Sequence, residues 1–269
     1  MARSDTVFGG SVPQLYDHYL RDLQFQPYAE DIADRLAGMT SGALLETAAG
    51  TGIVTEALAA RLPATVKITA TDLNQPMLDH AAGKPGMARV RFQQADALAL
   101  PFADASFDAL VCQFGVMFFP DRVAAFREAR RVLRPGGRLL FSAWDRRAEN
   151  PAKDATIAGL EKRYPAHPSW FLERTPCGYH DPARIRADLA AAGFGECRID
   201  TVTRIGRAPD ARAVAVGFCQ GTPMRAEIEG LDPGGLEAAT DAAMQSIVAR
   251  FGPGAIEARL QALVVEVEK

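Results

Sequence analysis

An α/β fold, with helices covering both faces of a mostly parallel sheet, is predicted by three observations. Apolar strand-like runs alternate with helical patterns through the first half of the chain. At 269 residues, 48% hydrophobic and 23% charged, the chain has the balance of a globule that buries one full core. The residues that stand out chemically, Glu46, Asp72, Asp96 and Gln113, each follow a strand-like run, so right-handed crossovers would gather them at one sheet edge.

Taken in order, "YAEDIADRLAGM" (28–39) reads as a helix and "ALLETA" (43–48) as a buried strand. "GIVTEALAARL" (52–62) is a helix stopped by Pro63. "VKITATDL" (66–73) is a strand, "PMLDHAA" (76–82) a short helix, and "VRFQQADA" (90–97) and "FDALVCQF" (107–114) two more strands. Asp121 is placed to cap the helix "RVAAFREARRVL". Its Val123, Phe126 and Leu133 share a face with Arg130, so the apolar stripe leans on Ala129 there. "RPGG" (134–137) is expected to turn tightly into the strand "RLLFSAW" (138–144).

Residues 146–180 hold prolines, aromatics and charges without clear period, which predicts an insertion over the ligand edge. "DPARIRADLAAAGF" (181–194) returns to a helix, with Asp181 as cap and Pro182 in the first turn. "ECRIDTVTRI" (196–205) alternates like a strand. Residues 209–252 predict two or three helices divided by "GTP" and "DPGG", and "QALVVEVE" (261–268) closes the chain as a strand. The expected units are a core over 1–145, a cap insertion over 146–180, a core helix and strand over 181–208, a helical cap segment over 209–252 and a closing strand over 253–269.

Composition narrows the partners. Net charge is −3, from 30 basic and 33 acidic residues, with no long basic run, which gives a nucleic-acid partner no electrostatic support. Cys112, Cys177, Cys197 and Cys219 form no CxxC pair or zinc-ligand spacing, which fits reduced thiols in a cytoplasmic protein. "MARSDTVFGG" lacks a signal-peptide core and no apolar run approaches membrane-spanning length, so no membrane insertion is expected. No HExxH or Asp-rich spacing calls for a metal.

The stretch "ALLETAAGTG" decides between ligands. Gly50 and Gly52 let the backbone turn sharply against a ligand, and Asp72, about twenty residues on, is placed to accept both hydroxyls of a ribose. Those features serve any adenosine ligand, NAD included. Glu46 does not: at about 4 Å and an effective dielectric near 20, a pair of unit charges is worth roughly 4 kcal/mol, unfavourable beside a pyrophosphate and favourable beside an ammonium or sulfonium. The third glycine of the dinucleotide fingerprint is also missing, with Thr55 in its place. An aminoacyl adenosine fits better than a dinucleotide.

Five motifs then carry a resemblance. "LLETAAGTG", "ATDLNQPML", "QQADALALPF", "FDALVCQFGVMFFPD" and "EARRVLRPGGRLLFSAW", in that order over about residues 10–145, resemble class I S-adenosylmethionine-dependent methyltransferases, in particular the small-molecule group related to ubiquinone and menaquinone biosynthesis enzymes. The resemblance implies a Rossmann-like, seven-stranded sheet with an inserted, mainly helical cap. It also implies S-adenosyl-L-methionine as cofactor, S-adenosyl-L-homocysteine as product, and in-line methyl transfer to a small-molecule acceptor.

On the same grounds Glu46 would face the methionine ammonium and Gly50 and Gly52 would pass under methionine and ribose. Asp72 would take the ribose hydroxyls and Leu73 the adenine face. Asp96 and the Ala97 N–H would bind adenine, and the Gln113 backbone would close the methionine side. Ala48 stands where the family usually has its first glycine; a β-like backbone is expected there, with cofactor binding retained.

Several residues keep two readings. Tyr16 and Tyr19, one helical turn apart, either reach the methionine carboxylate, as in the resembling family, or staple their helix to the domain. Of His18, His80, His167 and His180, His80 is expected in solvent and His180 in a structural hydrogen bond; His18 and His180 are the candidates for a general base. "FGVMFFP", Trp144, Trp170 and Phe171 either line an apolar acceptor pocket or fill core. Two other classes compete with a methyltransferase: a nicotinamide-dependent oxidoreductase and a catalytically silent scaffold. A homodimer is the assembly entertained.

Overall fold

The computed structural model describes residues 12–269. The stretch 1–11, which enters the targeting argument and the first unit above, lies outside the described residues. Seven strands form one sheet in the order β3-β2-β1-β4-β5-β7-β6. They are β1 (Gly42–Glu46), β2 (Val66–Asp72), β3 (Arg91–Gln94), β4 (Phe107–Gln113), β5 (Leu133–Trp144), β6 (Arg198–Ala208) and β7 (Ile256–Glu268). β1 to β5 pair in parallel, and β7 runs antiparallel to both β5 and β6. The predicted α/β class therefore holds, with the sheet seven-stranded and mostly parallel.

The helices in chain order are α1 (Val12–Leu20), α2 (Gln26–Arg35), α3 (Ile53–Arg61), α4 (Gln75–Ala82), α5 (Arg122–Val132), α6 (Pro151–Arg163), α7 (Phe171–Arg174), α8 (Pro182–Ala191), α9 (Ala211–Gln220), α10 (Met224–Leu231) and α11 (Leu236–Phe251). α1 and α2 are joined by a π-helical stretch, Arg21–Phe25. β1, β2 and β4 are buried along nearly their whole length, as expected of central strands covered on both faces. Asp121 caps α5 by accepting the Ala124 N–H at 2.8 Å, and Asp181 caps α8 through the Ala183 N–H at 2.8 Å. α5 buries Ala125, Phe126, Ala129 and Val132; of the predicted stripe Phe126 and Ala129 hold, while Val123 is only half-buried and Leu133 already belongs to β5.

One expectation fails here. "RPGG" does not precede its strand: β5 already begins at Leu133, which pairs with Phe107, and the pairing resumes at Ala109 with Arg138. The proline and glycines bulge out of a continuing strand, because Pro135 has no N–H to give the ladder. Residues 146–180, read as an insertion without clear period, contain the thirteen-residue α6. Ala152, Lys153, Ala155, Thr156, Ile157, Gly159 and Leu160 of that helix are all buried, on more than one face. A helix enclosed on several sides shows no amphipathic period to read.

The long β6–β7 pair explains where the remaining helices sit. Trp144, the last residue of β5, pairs with Ala262, which pairs with Val202. β6 continues six residues further to Ala208, about 20 Å at 3.3 Å per residue. α9–α11 thus leave the sheet well beyond the carboxyl ends of the parallel strands. α11 packs on both α6 and α9, and α9 packs on α1. The buried Tyr28 of α2 donates its hydroxyl to the Val202 carbonyl at 2.9 Å, fastening the N-terminal helices to the outer strand.

Candidate functional site

Strand order reverses between β1 and β4, and the crevice at their carboxyl ends is where an open parallel sheet offers room for a ligand. A cavity of about 250 Å³ occupies that place. Tyr16, Ala48, Gly50, Asp72, Leu73, Asp96, Ala97 and Gln113 line it, so eight of the residues singled out from sequence converge on one space. Glu46 lines an adjoining recess that shares Tyr16, Ala48, Gly50 and Gln113 with the main cavity. Gly52 lies behind the turn at φ 79°, where a Cβ would come within 2.8 Å of the Ala81 Cβ.

The glycine turn is built around two carboxylates. Asp72, 8% exposed, accepts the Gly50 N–H at 2.9 Å on one oxygen and the Asn74 N–H at 2.8 Å on the other. Burial raises its pKa above the ordinary aspartate value against the opposing pull of those donors. Glu46 is 1% exposed and accepts the Thr55 hydroxyl at 2.6 Å. Burial pushes it up to about 8, Thr55 pulls it down and the Asp72 charge adds to the rise. Thr55 was legible only as a missing glycine; in the fold it is the residue of α3 that orients the acid.

Ala48 corrects an expectation. It is left-handed at φ 53°, not β-like, and Phe114 across the crevice is left-handed at φ 52°. Each costs of order 1–2 kcal/mol, which the neighbouring structure must offset. A Cβ on Gly115 would lie 2.4 Å from the Ala48 methyl, so the alanine uses space that only a glycine leaves open. Phe114 is held by its N–H to the Ser142 carbonyl at 3.1 Å and by a stack on Trp144 with ring centroids 3.8 Å apart.

α1 closes one side. Tyr16 stacks on Phe25 at 4.7 Å, and burial, then the Asp72 and Asp17 charges, hold its pKa far above the ordinary tyrosine value. Its hydroxyl stays protonated. Asp17 accepts Lys84 at 2.6 Å and the Thr51 hydroxyl at 3.0 Å, and lies 3.3 Å from Arg21 and 3.6 Å from His80. His80, expected in solvent, belongs to this cluster. Gln113 acts here through its side chain, donating to the Phe25 carbonyl at 3.2 Å.

Tyr19 is outside the lining, with its Cβ 3.0 Å from where a Gly217 Cβ would be on α9, which agrees with the stapling alternative. His18 is exposed and lines none of these spaces. His180 is also exposed, hydrogen-bonds the Cys177 carbonyl at 2.7 Å and borders a separate hollow beside Arg147 and Asp154. Neither general-base candidate reaches the cavity.

A second, smaller cavity of about 40 Å³ adjoins the first through Tyr16, Phe114 and Phe118. Met117, Trp144 and Phe171 line it, as the acceptor-pocket reading of these residues required, while Trp170 is buried elsewhere. Gln24 and Lys153, which the sequence did not single out, complete it. Among the described residues no group of three His, Cys, Asp or Glu side chains could hold a metal, and no helix is long and apolar enough to cross a membrane. The four cysteines are free thiols, three of them buried.

Comparison with known proteins now decides the family. Residues 45–141 match the family described as "Methyltransferase domain". The chain is 33% identical over 167 residues to a demethylmenaquinone methyltransferase of Deinococcus radiodurans, covering 56% of this chain and 67% of that protein. This chain belongs to the class I S-adenosylmethionine-dependent methyltransferases. The methyltransferase is also 38% identical over 105 residues to a ubiquinone/menaquinone biosynthesis C-methyltransferase of Geotalea daltonii, covering 38% of this chain and only 45% of that relative. The crystal structure of the Bacillus subtilis YcgJ protein shares the fold at TM-score 0.56 and 22% identity, covering 90% of this chain and 98% of the other.

Proposed function

We propose that the 250 Å³ cavity binds S-adenosylmethionine and that the enzyme methylates a small organic acceptor, with S-adenosylhomocysteine as product. The observation that carries this reading is the pair of buried acids on either side of the glycine turn. Glu46, once ionised, favours a cationic ligand group and disfavours a phosphate, while the Asp72 oxygen that accepts the Gly50 N–H keeps a lone pair for a ribose hydroxyl. The other oxygen, which accepts the Asn74 N–H at 2.8 Å and its side-chain amide at 3.3 Å, would take the second hydroxyl in place of that amide. The residues present therefore fit the cofactor.

Glu46 would pair with the ammonium, Asp72 with the diol, and Gly50 would pass beneath the chain joining them. Leu73, 52% exposed at the rim, would cover an adenine face, with Asp96 and the Ala97 N–H at the ring edge. Tyr16, kept protonated, would donate to the carboxylate. Gly52 would shape the turn from behind. When bound, the cofactor supplies a methyl group already activated on sulfonium. The protein's part is then to align an acceptor and exclude water, and such positioning can supply roughly 7–11 kcal/mol of the barrier.

The helical segments 146–180 and 209–252 act in this reading as one cap, since α6 and α9 meet on α11. The aromatic second cavity gives the acceptor an apolar approach. The names of the two relatives point towards ring-bearing acceptors of the quinone type. The test is thermal shift with S-adenosylhomocysteine against NAD: stabilisation by the first alone is expected, and stabilisation by NAD alone would overturn the reading.

A further inference from the structure

Lys153 of α6 is 2% exposed, and among the described residues its Nζ has no hydrogen-bond partner. The amine lies 3.1 Å from the centroid of the Trp144 ring, and both residues line the second cavity. On the same cavity the side chain of Gln24, 1% exposed, donates to the Leu23 carbonyl at 3.0 Å and leaves its own carbonyl oxygen without a partner. The other walls are apolar or aromatic, apart from Thr222, whose hydroxyl is spent on the Phe218 carbonyl at 2.6 Å. A buried lysine and a buried amide oxygen facing one small space, both unpaired, cost stability that an apolar pair would not. Their placement makes sense when a ligand group arrives that satisfies both.

An acidic hydroxyl does so: its proton passes to the amine, and the resulting ammonium has three N–H groups, enough for the acceptor's oxygen anion and for the Gln24 carbonyl. We infer that Lys153 and Gln24 form the recognition site for an acidic hydroxyl, phenolic or enolic, on the methyl acceptor, and that Lys153 takes its proton. This rests on the cofactor reading above. About 40 Å³ admits a head group of a few heavy atoms, and the shared wall of Tyr16, Phe114 and Phe118 leaves the acceptor's ring facing the main cavity. In the step, the acceptor O–H bond breaks, its electron pair stays on oxygen, and the proton forms a new N–H bond on the amine. The anion then stands against an ammonium, with the Trp144 face behind it.

Lys153 is suited to this because burial lowers its pKa to about 7. Near neutral pH it therefore holds a free amine as well as an ammonium, and an ordinary lysine does not. The titratable group that bears on it is the Cys177 thiol, itself raised by burial, so neutral in the same range.

The experiment titrates the full chain with 4-nitrophenol, whose anion absorbs at longer wavelength than its neutral form, and with 4-nitroanisole, which has no hydroxyl. Both titrations are run near pH 6, with and without S-adenosylhomocysteine, on wild type and Lys153→Met. Wild type is expected to bind nitrophenol as its anion and at least tenfold more tightly than nitroanisole. Lys153→Met should bind the two alike and lose the anion band, while its affinity for S-adenosylhomocysteine is unchanged and its melting temperature is no lower. Gln24→Leu, a second variant, should lower the preference severalfold. A preference that survives Lys153→Met, or no nitrophenol binding by wild type, overturns the assignment. Failure to bind S-adenosylhomocysteine, with lysine-dependent nitrophenol binding intact, overturns the cofactor reading instead.

Discussion

Glu46 gives the sharpest consequence of the site's electrostatics. With a pKa pushed up to about 8 it is mostly protonated at pH 7 in the free enzyme. A ligand ammonium placed against it favours the anion, so cofactor binding should drive the proton off. The expected release is between about half a proton and one proton per cofactor at pH 7, falling towards zero at alkaline pH. Calorimetry of S-adenosylmethionine binding in two buffers of different ionisation enthalpy reads that number directly. The free protein carries a matching signature. Because the folded pKa lies above the ordinary 4.5, the folded state binds more protons than the unfolded between those values. Stability from this group is complete below about pH 4.5 and declines as pH rises through 8, by roughly 5 kcal/mol at most at about 1.36 kcal/mol per pH unit. Glu46→Gln should remove both the proton release and that part of the pH dependence, and weaken binding at least tenfold. Binding without proton exchange, or a glutamine variant of unchanged affinity, would refute the reasoning.

Other outcomes follow from the same geometry. On the proposed ribose role, Asp72→Ala would remove two charged hydrogen bonds to the diol, worth about 1.5–3 kcal/mol each, so affinity should fall by at least a hundredfold by calorimetry, with the fold retained by circular dichroism. Ala48→Gly relieves a left-handed alanine and should raise stability by about 1 kcal/mol in urea unfolding, with cofactor affinity unchanged. Burial tends to raise the Asp17 pKa, but Lys84 and then Arg21 outweigh it and hold the carboxyl below its ordinary value. The stability it adds is present above the ordinary aspartate range and lost as pH falls through the lowered pKa. Asp17→Asn should therefore free α1 from α4, seen as faster protease cleavage near residue 20 and faster cofactor release.

Elements marked by a continuous apolar run, a helical period or a capping residue could be read directly from sequence. The alternating strands and helices through Trp144, the caps Asp121 and Asp181, and the three helices of 209–252 all appear where the residues placed them. The site was legible for a related reason: parallel strands bring their carboxyl ends together, so Asp72, Asp96 and Gln113 needed only their strands to be found. What escaped depended on enclosure or on neighbours distant in sequence. α6 shows no period because it is surrounded, and Lys153 was hidden with it. The left-handed Ala48 has room for its methyl only because position 115, 67 residues away, is a glycine, and the role of Thr55 depends on a carboxylate on another element. His18 and His180 were chosen by residue type alone, which says nothing about where a side chain points.

A crystal structure of the enzyme with S-adenosylhomocysteine tests the central claim most directly. The ligand ammonium is expected within hydrogen-bond reach of the Glu46 recess, and both ribose hydroxyls on Asp72. Electron density for the ligand in another hollow, or a bound molecule that sets a phosphate against Glu46, would contradict it.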